Sequence, residues 1–384
     1  MEFNIRSIDA LLRNPAAGLP PNLSFAKSGE IDFRLKPGTL IDPAGRDADA
    51  AARLGKAQTS ANGLPYGTCE FRNVHVIGPQ GLIVSLGTRS VWKGLLFNWS
   101  DPVFDGIVRR IAVFAPDSRT LDASETLFRG ARRIKEAILI GAPGFGIYGH
   151  WILDYLPKLN EVVARNQQHL PFHYNAVKDW ARDFAGLILP GGLPQPVADG
   201  NRVTFFERLI VPTSVRSPGL FDGAAARAAW QRVSDGLARM HRAGGIDAPP
   251  ALIYISRRKW HRGQQERVLV NATDVEDFLE NLGFEVIHPE TLPLAEQRWM
   301  FSRARVVIGE DGSALHNTIF CPPGTRIGAI SMGRTNTLHA AAANALDQRI
   351  TYIPTASDGR LEGTTILYRL EIQHLKNALD RLLV

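Results

Sequence analysis

RVVIGEDGSALHNTIFCPPG, at residues 305–324, is the most informative stretch of the chain. Its start, 305–308, is mostly β-branched and apolar, which predicts a buried strand. Residues 309–312 then place two carboxylates between two glycines. The next segment, 313–320, is predicted to be a helix that the CPPG sequence ends, because proline cannot continue a helix. A strand, a glycine turn and a helix N-terminus present backbone N–H groups that suit a phosphate, although an ordinary β–α turn has the same pattern.

Strands and helices alternate on both sides of this stretch. The predicted strands are 251–255, 284–288, 326–331 and 349–354, and the predicted helices are 224–243, 273–282, 294–304, 336–346 and 366–383. The helix from Thr273 begins with T-D-V-E, which has the pattern of a capping box. Such alternation implies right-handed crossovers and a parallel sheet, whose binding edge is formed by the carboxyl ends of its strands. The turn at 309–312 lies at that edge.

The first half of the chain has a different pattern. Its start is rich in Gly, Pro and Ala and is predicted to be irregular, with one short helix over 46–56. Short β-rich runs between 69 and 115 predict a small β-meander. A helix is predicted over 150–165, and Pro157 should kink or restart it because proline removes an intrahelical hydrogen bond. The expected division is an irregular arm over 1–68, a domain over 69–222 and a second domain over 223–384.

Composition limits the class of protein. The length of 384 residues favours two domains, and 45% hydrophobic with 21% charged residues is typical of a soluble globular protein. The net charge of +6 fits anionic ligands such as nucleotides, or an acidic membrane face. No dense Lys/Arg run alternates with aromatic residues, so no nucleic-acid partner is expected. Two cysteines, no CxxC spacing, no signal-like apolar segment and no bilayer-length apolar run favour a cytoplasmic protein.

A glycine pattern precedes the helix predicted at 150. Residues 144–149 read G-F-G-I-Y-G and follow a predicted strand at 136–141, which is the setting of a dinucleotide-binding fingerprint. However, no Asp or Glu occurs between Ala164 and Val177, where a ribose-binding acid about 20 residues further on should lie. A dinucleotide-dependent oxidoreductase is therefore kept only as the less favoured alternative.

His150 and Asp154 are four residues apart, so a helix places them on one face. A carboxylate beside an imidazole holds it in one tautomer, as a general base requires. The same spacing also fits a surface pair, or a hydrogen bond that merely fixes the glycine loop. The pair is a candidate for proton transfer on these grounds.

Basic residues follow the strand predicted at 251–255, at Arg257, Arg258, Arg262 and Arg267. Guanidinium groups pair with phosphate oxygens in a bidentate manner, although a solvated basic loop has the same composition. The chain has no GxxxxGK[ST] phosphate loop and no G-x-S-x-G nucleophile elbow. A hydrolase with a serine nucleophile is therefore unsupported.

Three segments, taken together and in this order, resemble glycosyltransferase family 61. They are GIYGHWILDYLPKL at 146–159, YISRR at 254–258 with ERVLVN at 266–271, and GFEVIHPETLPLAEQ at 283–297 with FSRARVVIGEDGSALHN at 301–317. The first is similar to the family's aromatic-HW-x-x-D-x-LP-basic-L signature. The resemblance covers roughly residues 70–335.

The resemblance implies an α/β fold of the GT-B type, with two Rossmann-like domains facing a cleft and, here, a small β-rich N-terminal portion. It implies inverting transfer of a hexosyl or pentosyl group from a nucleoside-diphosphate sugar to a hydroxyl of a glycan or glycolipid, without metal or other cofactor. The part over 69–222 would hold the acceptor and that over 223–384 the donor. The implied setting is bacterial surface polysaccharide or glycolipid synthesis in the cytoplasm, with or without peripheral association with the inner membrane face.

Carried over position by position, the resemblance gives each candidate residue a role. The base would be Asp154, with or without His150, and the donor would be bound by Arg257, Arg267, Asn271, Asp311, Gly312, Ser313 and Asn317.

The chain departs from the family pattern at three positions. The family commonly has histidine where this chain has Asp311, a small or threonine-like residue where it has His316, and an acid where it has Ala272. A carboxylate at Asp311 would repel a diphosphate placed directly on it. Either Asp311 contacts a sugar or ribose hydroxyl, or the turn is not the phosphate site. A non-catalytic carbohydrate- or nucleotide-binding protein of the same fold is therefore the second hypothesis.

Overall fold

A computed structural model describes most of the chain in two compact units. The described residues are 2–14, 18–33, 39–40, 61–78, 81–93, 113–114, 120–122, 125–141, 144–174, 177–197, 203–217, 220–221, 223–241, 248–260, 267–332, 336–362 and 365–383. Unit 1 comprises Met1–Phe33 and Ala61–Ala229, and unit 2 comprises Arg34–Ser60 and Trp230–Val384. The helix predicted over 46–56 and the side chain of Arg262 lie outside the described residues.

The described strands and helices are numbered in chain order. The strands are β1 (Glu2–Ser7), β2 (Leu23–Phe33), β3 (Thr39–Leu40), β4 (Ala61–Ile77), β5 (Leu82–Ser85), β6 (Ser90–Lys93), β7 (Val113–Phe114), β8 (Thr120–Asp122), β9 (Arg132–Leu139), β10 (Phe172–His173), β11 (Thr204–Pro212), β12 (Arg216–Ser217), β13 (Leu220–Phe221), β14 (Leu252–Ile255), β15 (Arg267–Leu269), β16 (Glu285–Ile287), β17 (Val306–Glu310), β18 (Arg326–Ser331), β19 (Arg349–Pro354), β20 (Ala356–Glu362) and β21 (Thr365–Arg369). The helices are α1 (Ile8–Arg13), α2 (Tyr148–His150), α3 (Leu156–Ala164), α4 (Asp179–Ile188), α5 (Gly223–Met240), α6 (Ala272–Glu280), α7 (Leu294–Phe301), α8 (Thr337–Ala345) and α9 (Ile372–Leu382). A π-helical turn spans Trp151–Tyr155, and 3-10 helices span Glu125–Phe128, Pro289–Thr291 and Ser313–Phe320. Within the part of the chain that is described, no helix has the length and apolar character needed to cross a membrane.

Unit 1 is built on a ten-stranded mixed sheet. Its strand order is β10-β9-β11-β4-β5-β6-β1-β8-β7, and β2 also pairs with β4. Strands β4, β5 and β6 are consecutive and antiparallel, so a meander is present, but its third strand is β6 and not the run that ends near 115, of which the described part, β7, pairs with β8. Strand β9 is parallel to both β10 and β11, so the sheet has a parallel portion at one end. Strand β9 ends at Leu139, and the segment that begins at Gly144 follows it along the chain.

The prediction of an irregular arm over 1–68 is wrong for its described residues. Strand β1 pairs with β6 and β8, and β2 pairs along β4. Phe3 in β1 is 1% exposed, so this strand contributes to the core. Order in these segments comes from pairing with strands that are distant in sequence, and strand preference depends strongly on such neighbours. Local composition therefore did not indicate that these segments form ordered strands.

Unit 2 contains the parallel sheet that the alternating pattern predicts. All six strands are parallel, in the order β16-β14-β17-β18-β19-β3. Taken along the chain from β14, the first five strands have the order 2-1-3-4-5, so the chain changes direction across the sheet between β14 and β17. Ligands of such sheets bind at the carboxyl ends of the strands at this switch point. The stretch at 305–324 supplies β17 and therefore one side of that point.

Three local predictions in unit 2 are corrected. Residues predicted to begin the last helix form β21, which pairs with β15 and β20, because its β-branched and aromatic residues favour a strand. Helix α6 begins after Asn271 without a side-chain cap, so the capping box at Thr273 is absent. The segment at 313–320 is a 3-10 helix, entered from an extended Gly312 with φ 169° and ψ −179°.

Candidate functional site

The first group of candidate residues lies where α2 continues into the π-helical turn and α3. Pro157 stands in the first turn of α3, and the wider π turn at Trp151–Tyr155 precedes it. Proline lacks an N–H and its ring crowds the carbonyl four residues back, which accounts for the restart predicted at this position. The π turn buries Asp154, which is 6% exposed, while the His150 side chain is 39% exposed. Such turns occur frequently at functional sites.

Asp154 is held from two sides. Its Oδ2 lies 2.8 Å from Nδ1 of His150. Arg216 donates from Nε to Oδ1 at 2.5 Å and from Nη2 to Oδ2 at 2.7 Å. Burial alone would raise the pKa of Asp154, but the Arg216 charge and the hydrogen bonds from His150 and Arg216 outweigh it, so this pKa lies well below its usual range. The sequence-based assignment of Asp154 as the base is therefore not supported, and the carboxylate is better suited to orienting His150.

Gly144 explains the glycine pattern before this helix. Its φ is +84°, and a Cβ added there would lie 2.7 Å from Cγ and Cδ2 of His150. The loop is further fixed by Trp151, whose Nε1 donates to the carbonyl of Phe145 at 2.6 Å. The first glycine thus lets the loop pass close to the His150 ring, so the glycine pattern has a packing role that requires no dinucleotide. This packing argues against the dinucleotide hypothesis.

Two cations of this site were missed by sequence analysis. Arg216 is separated from Asp154 by 62 positions, and no local pattern linked them. Lys158 is 3% exposed and follows Asp154 by one turn, a spacing that could have indicated it. Burial lowers the pKa of Lys158 to about 8, with the Asp154 charge opposing this shift and the Arg216 charge adding to it. The buried part of the site therefore combines one carboxylate with two basic groups.

The second group of candidate residues meets at the switch point of unit 2. Arg257 follows β14, Arg267 begins β15 and Gly312 follows β17. A Cβ added to Gly312 would lie 3.3 Å from Nη2 of Arg267 and 3.6 Å from Nη1 of Arg257. We call Arg257, Arg267 and Gly312 the arginine cradle. Two guanidinium groups side by side at a sheet's binding edge match the charge and geometry of a phosphorylated ligand.

The arginines of the cradle are available to a ligand. Nη1 of Arg257 is buried and has no hydrogen-bond partner among the described residues. Neither Arg257 nor Arg267 forms an ion pair with a carboxylate in the described ranges. The neighbouring Arg258 differs, because its Nη1 lies 2.8 Å from the Thr273 hydroxyl and 3.1 Å from the Glu276 carboxylate. The basic cluster predicted after β14 therefore divides into a ligand-directed pair and a structural arginine.

Asp311 is hydrogen-bonded to a histidine of the protein, whereas its sequence position suggested a contact with a ligand. Its Oδ1 lies 2.8 Å from Nε2 of His339 in α8, and the His339 ring packs on His316 with centroids 4.4 Å apart. Burial alone would raise the pKa of Asp311, but the His339 hydrogen bond and charge, followed by the Arg267 charge, lower it. The carboxylate is thus compensated within the protein. Ser313 is half-buried at the start of the 3-10 helix beside Gly312.

The two asparagines predicted to bind the donor have structural contacts instead. Asn271 donates from Nδ2 to the Leu370 carbonyl at 2.9 Å and accepts from the Leu370 N–H at 3.2 Å. Asn317 is fully buried, and its Nδ2 donates to Oε1 of Gln297 at 3.1 Å. These amides tie together segments of unit 2, and a donor-binding role for them stays a prediction.

Glu310 was present in the informative stretch but was not assigned a role. It ends β17, is 6% exposed, and accepts a hydrogen bond from the Tyr368 hydroxyl. Burial raises the pKa of Glu310, opposed by the Arg257 charge, the Tyr368 hydrogen bond and the Arg267 charge. The sequence showed two adjacent carboxylates, but only the structure separates Glu310, which is bound by Tyr368, from Asp311, which is bound by His339.

The two sites offer different chemistry. The pair in unit 1 presents a fixed imidazole suited to proton transfer, and the cradle in unit 2 presents two cations suited to an anion. Among the described residues, no group of three or more His, Cys, Asp and Glu side chains is placed to hold a metal ion.

A parallel sheet with two arginines at its switch point, and a separate imidazole–carboxylate pair, are compatible with a transferase. Comparison with known proteins makes the class specific: the chain is a glycosyltransferase. Residues 148–328 match the family model described as Glycosyltransferase 61, and this match supports glycosyltransferase family 61. No curated protein matches it. The matched range contains both the His150–Asp154 pair and the arginine cradle.

Proposed function

We propose that this protein is an inverting glycosyltransferase that moves a sugar from a nucleoside-diphosphate sugar to a hydroxyl of a glycan or glycolipid. The observation that carries the proposal is the arginine cradle, whose guanidinium groups lack partners in the described structure. The leaving group of such a donor is a diphosphate, and paired guanidinium groups stabilise the charge that develops on it. Backbone N–H groups at Gly312 and Ser313 would add to this stabilisation.

In the proposed reaction the acceptor oxygen forms a bond to the anomeric carbon of the sugar. The bond from that carbon to the diphosphate oxygen breaks, and its electron pair leaves with the diphosphate. The acceptor proton goes to Nε2 of His150, because Nδ1 faces Asp154 at 2.8 Å. Asp154 stays ionised beside Arg216 and keeps the imidazole in the tautomer that can accept this proton.

Further details belong to the same proposal. The 2-1-3-4-5 strand order of unit 2 supports one Rossmann-like domain of the GT-B type, whereas the sheet of unit 1 is mixed and does not have this all-parallel order. Two arginines that can neutralise the diphosphate support a reaction without metal. The net charge of +6 supports an enzyme that acts in the cytoplasm on polysaccharide or glycolipid, with peripheral association at the membrane face.

A non-catalytic binding protein of the same fold is the alternative. Its motivation was Asp311, which stands where the family commonly has histidine. Because Asp311 is bound to His339, its carboxylate does not fill the cradle, and the argument for a lost activity is weakened. A nucleotide sugar that binds but is neither hydrolysed nor transferred to any acceptor of a broad panel would favour this alternative.

The donor site can be tested by thermal shift with nucleoside diphosphates, nucleotide sugars and NAD. A nucleoside diphosphate at a hundred times its Kd should stabilise the protein by about 2.7 kcal/mol. Arg257→Gln and Arg267→Gln should abolish the shift. Arg258→Gln is the matched control and should retain it, because Arg258 is bound to Thr273 and Glu276. The donor proposal fails if no diphosphate shifts the wild type, or if all three variants lose the shift equally.

The base can be tested separately with His150→Gln. Loss of a positioned base should lower transfer on the order of a hundredfold or more, while donor binding stays unchanged because His150 is in the other unit. Near-normal transfer by a folded His150→Gln variant would remove His150 from this role.

A further inference from the structure

Glu310 stands out because it is a buried carboxylate at a site that otherwise suits an anion. It lies two residues before Gly312, and the charges of Arg257 and Arg267 both act on it. The Tyr368 hydroxyl donates a hydrogen bond to its carboxylate. A carboxylate so placed is held in the immediate surroundings of the proposed diphosphate.

The neighbouring carboxylates have hydrogen-bond partners of their own. Asp311 is already bound by His339, and Glu276 is bound by Ser256 and Arg258. Tyr254, on β14, is fully buried next to Glu310, and its hydroxyl has no hydrogen-bond partner among the described residues.

The negative charge of Glu310 conflicts with that of a diphosphate in the cradle. The charges of Arg257 and Arg267 both act on Glu310, and the charge of Arg267 also acts on Asp311, which is hydrogen-bonded to His339. Neither arginine forms an ion pair with it, so both guanidinium groups stay directed at Gly312. A diphosphate that enters the cradle brings negative charge close to the Glu310 carboxylate. The two anions repel, and each competes for the same pair of cations.

We propose that Glu310 is an internal counter-anion for Arg257 and Arg267 that limits how tightly the cradle holds a diphosphate and so promotes its release. This inference rests on the proposed function, because it concerns the same site. Binding of the diphosphate favours the protonated form of Glu310, in which the carboxyl group no longer competes. Proton uptake should therefore accompany binding where Glu310 is ionised in the free protein.

Calorimetric titration of the full chain with inorganic pyrophosphate, and in parallel with uridine and guanosine diphosphates, tests the proposal at neutral to mildly alkaline pH. Glu310→Gln should bind on the order of tenfold more tightly, the effect of one unit charge several ångströms away. Titration in buffers of different ionisation enthalpy should show that this variant takes up fewer protons than the wild type. The comparison cancels the ionisation of the ligand itself. Glu310→Asp keeps the charge and should resemble the wild type.

Two further variants test whether the effect on affinity is specific to the charge of Glu310. Tyr368→Phe removes a hydrogen bond that favours the ionised form of Glu310, so it should also tighten binding, by a smaller factor. Glu276→Gln removes a neighbouring buried carboxylate that is bound to Ser256 and Arg258, and should leave the affinity unchanged.

The results distinguish the two proposals. Equal or weaker binding by Glu310→Gln, with unchanged proton uptake, overturns the counter-anion role while leaving the donor site intact. Equal tightening by Glu276→Gln also overturns it, since the effect would then be general. If neither pyrophosphate nor a nucleoside diphosphate binds the wild type, the donor site itself is refuted.

Discussion

Removing one partner of the buried Asp154–Arg216 pair should be strongly destabilising. Both residues are nearly excluded from solvent, at 6% and 5% exposed, and two hydrogen bonds of 2.5 and 2.7 Å join them. Asp154→Asn keeps the shape of the side chain but leaves the Arg216 charge buried without its carboxylate, close to the basic Lys158. Breaking a buried pair in this way costs about 3–5 kcal/mol. For a folding unit of this size the loss corresponds to roughly 6–20 °C in Tm.

The assay is urea unfolding at pH 7, followed by tryptophan fluorescence, for Asp154→Asn, Arg216→Met and the double variant. The double variant removes both charges, so it should be about 2–3 kcal/mol more stable than the sum of the single losses predicts. Glu207→Gln is the matched control, because its pair with Arg133 is exposed and should contribute less than about 1 kcal/mol.

The pH dependence gives an independent check. The folded-state pKa of Asp154 lies below the unfolded value, so its contribution is present at neutral pH and is lost as the pH falls below the ordinary range of an aspartate. The difference between wild type and Asp154→Asn should shrink accordingly. A loss below about 1 kcal/mol at pH 7, or additive single losses, would refute the reasoning about this pair.

Three other substitutions have defined outcomes. Gly144→Ala should lower transfer on the order of a hundredfold, because its Cβ would displace the His150 ring, whereas Gly146→Ala, with no atom within 4 Å, should leave transfer unchanged. Lys158→Met should change how stability depends on pH, because burial lowers the folded-state pKa of Lys158 to about 8. The free energy of unfolding of the wild type, relative to that of the variant, should rise by about 2 kcal/mol between pH 7 and pH 9.5. A difference between the two proteins that does not change with pH in unfolding titrations would contradict the burial argument. Gly312→Ala should stay within about 0.5 kcal/mol of wild-type stability, because the backbone at this position is extended. The same variant should bind a diphosphate at least about tenfold more weakly in calorimetry, because the added methyl group would lie between the cradle arginines.

Features that depend on spacing along the chain were predictable. The parallel sheet of unit 2 follows from alternating strand and helix patterns, and it places the turn after β17 at the binding edge. The four-residue spacing of His150 and Asp154 is enough to bring imidazole and carboxylate together. The restart of the helix at Pro157 follows from the missing N–H of proline. In each case the interaction is local or repeats with the period of the secondary structure.

The tertiary structure decided what each site residue does. Arg216 reaches Asp154 across 62 positions and turns a candidate base into a fixed, ionised partner of His150. The strands before residue 34 gain their order from distant pairing, which composition does not reveal. Glu310 and Asp311 are adjacent and alike in sequence, yet one is hydrogen-bonded to Tyr368 and the other to His339. Charge compensation between remote side chains depends on three-dimensional distance, so the residue types and their spacing could only suggest candidate residues, and folding determined which of them meet.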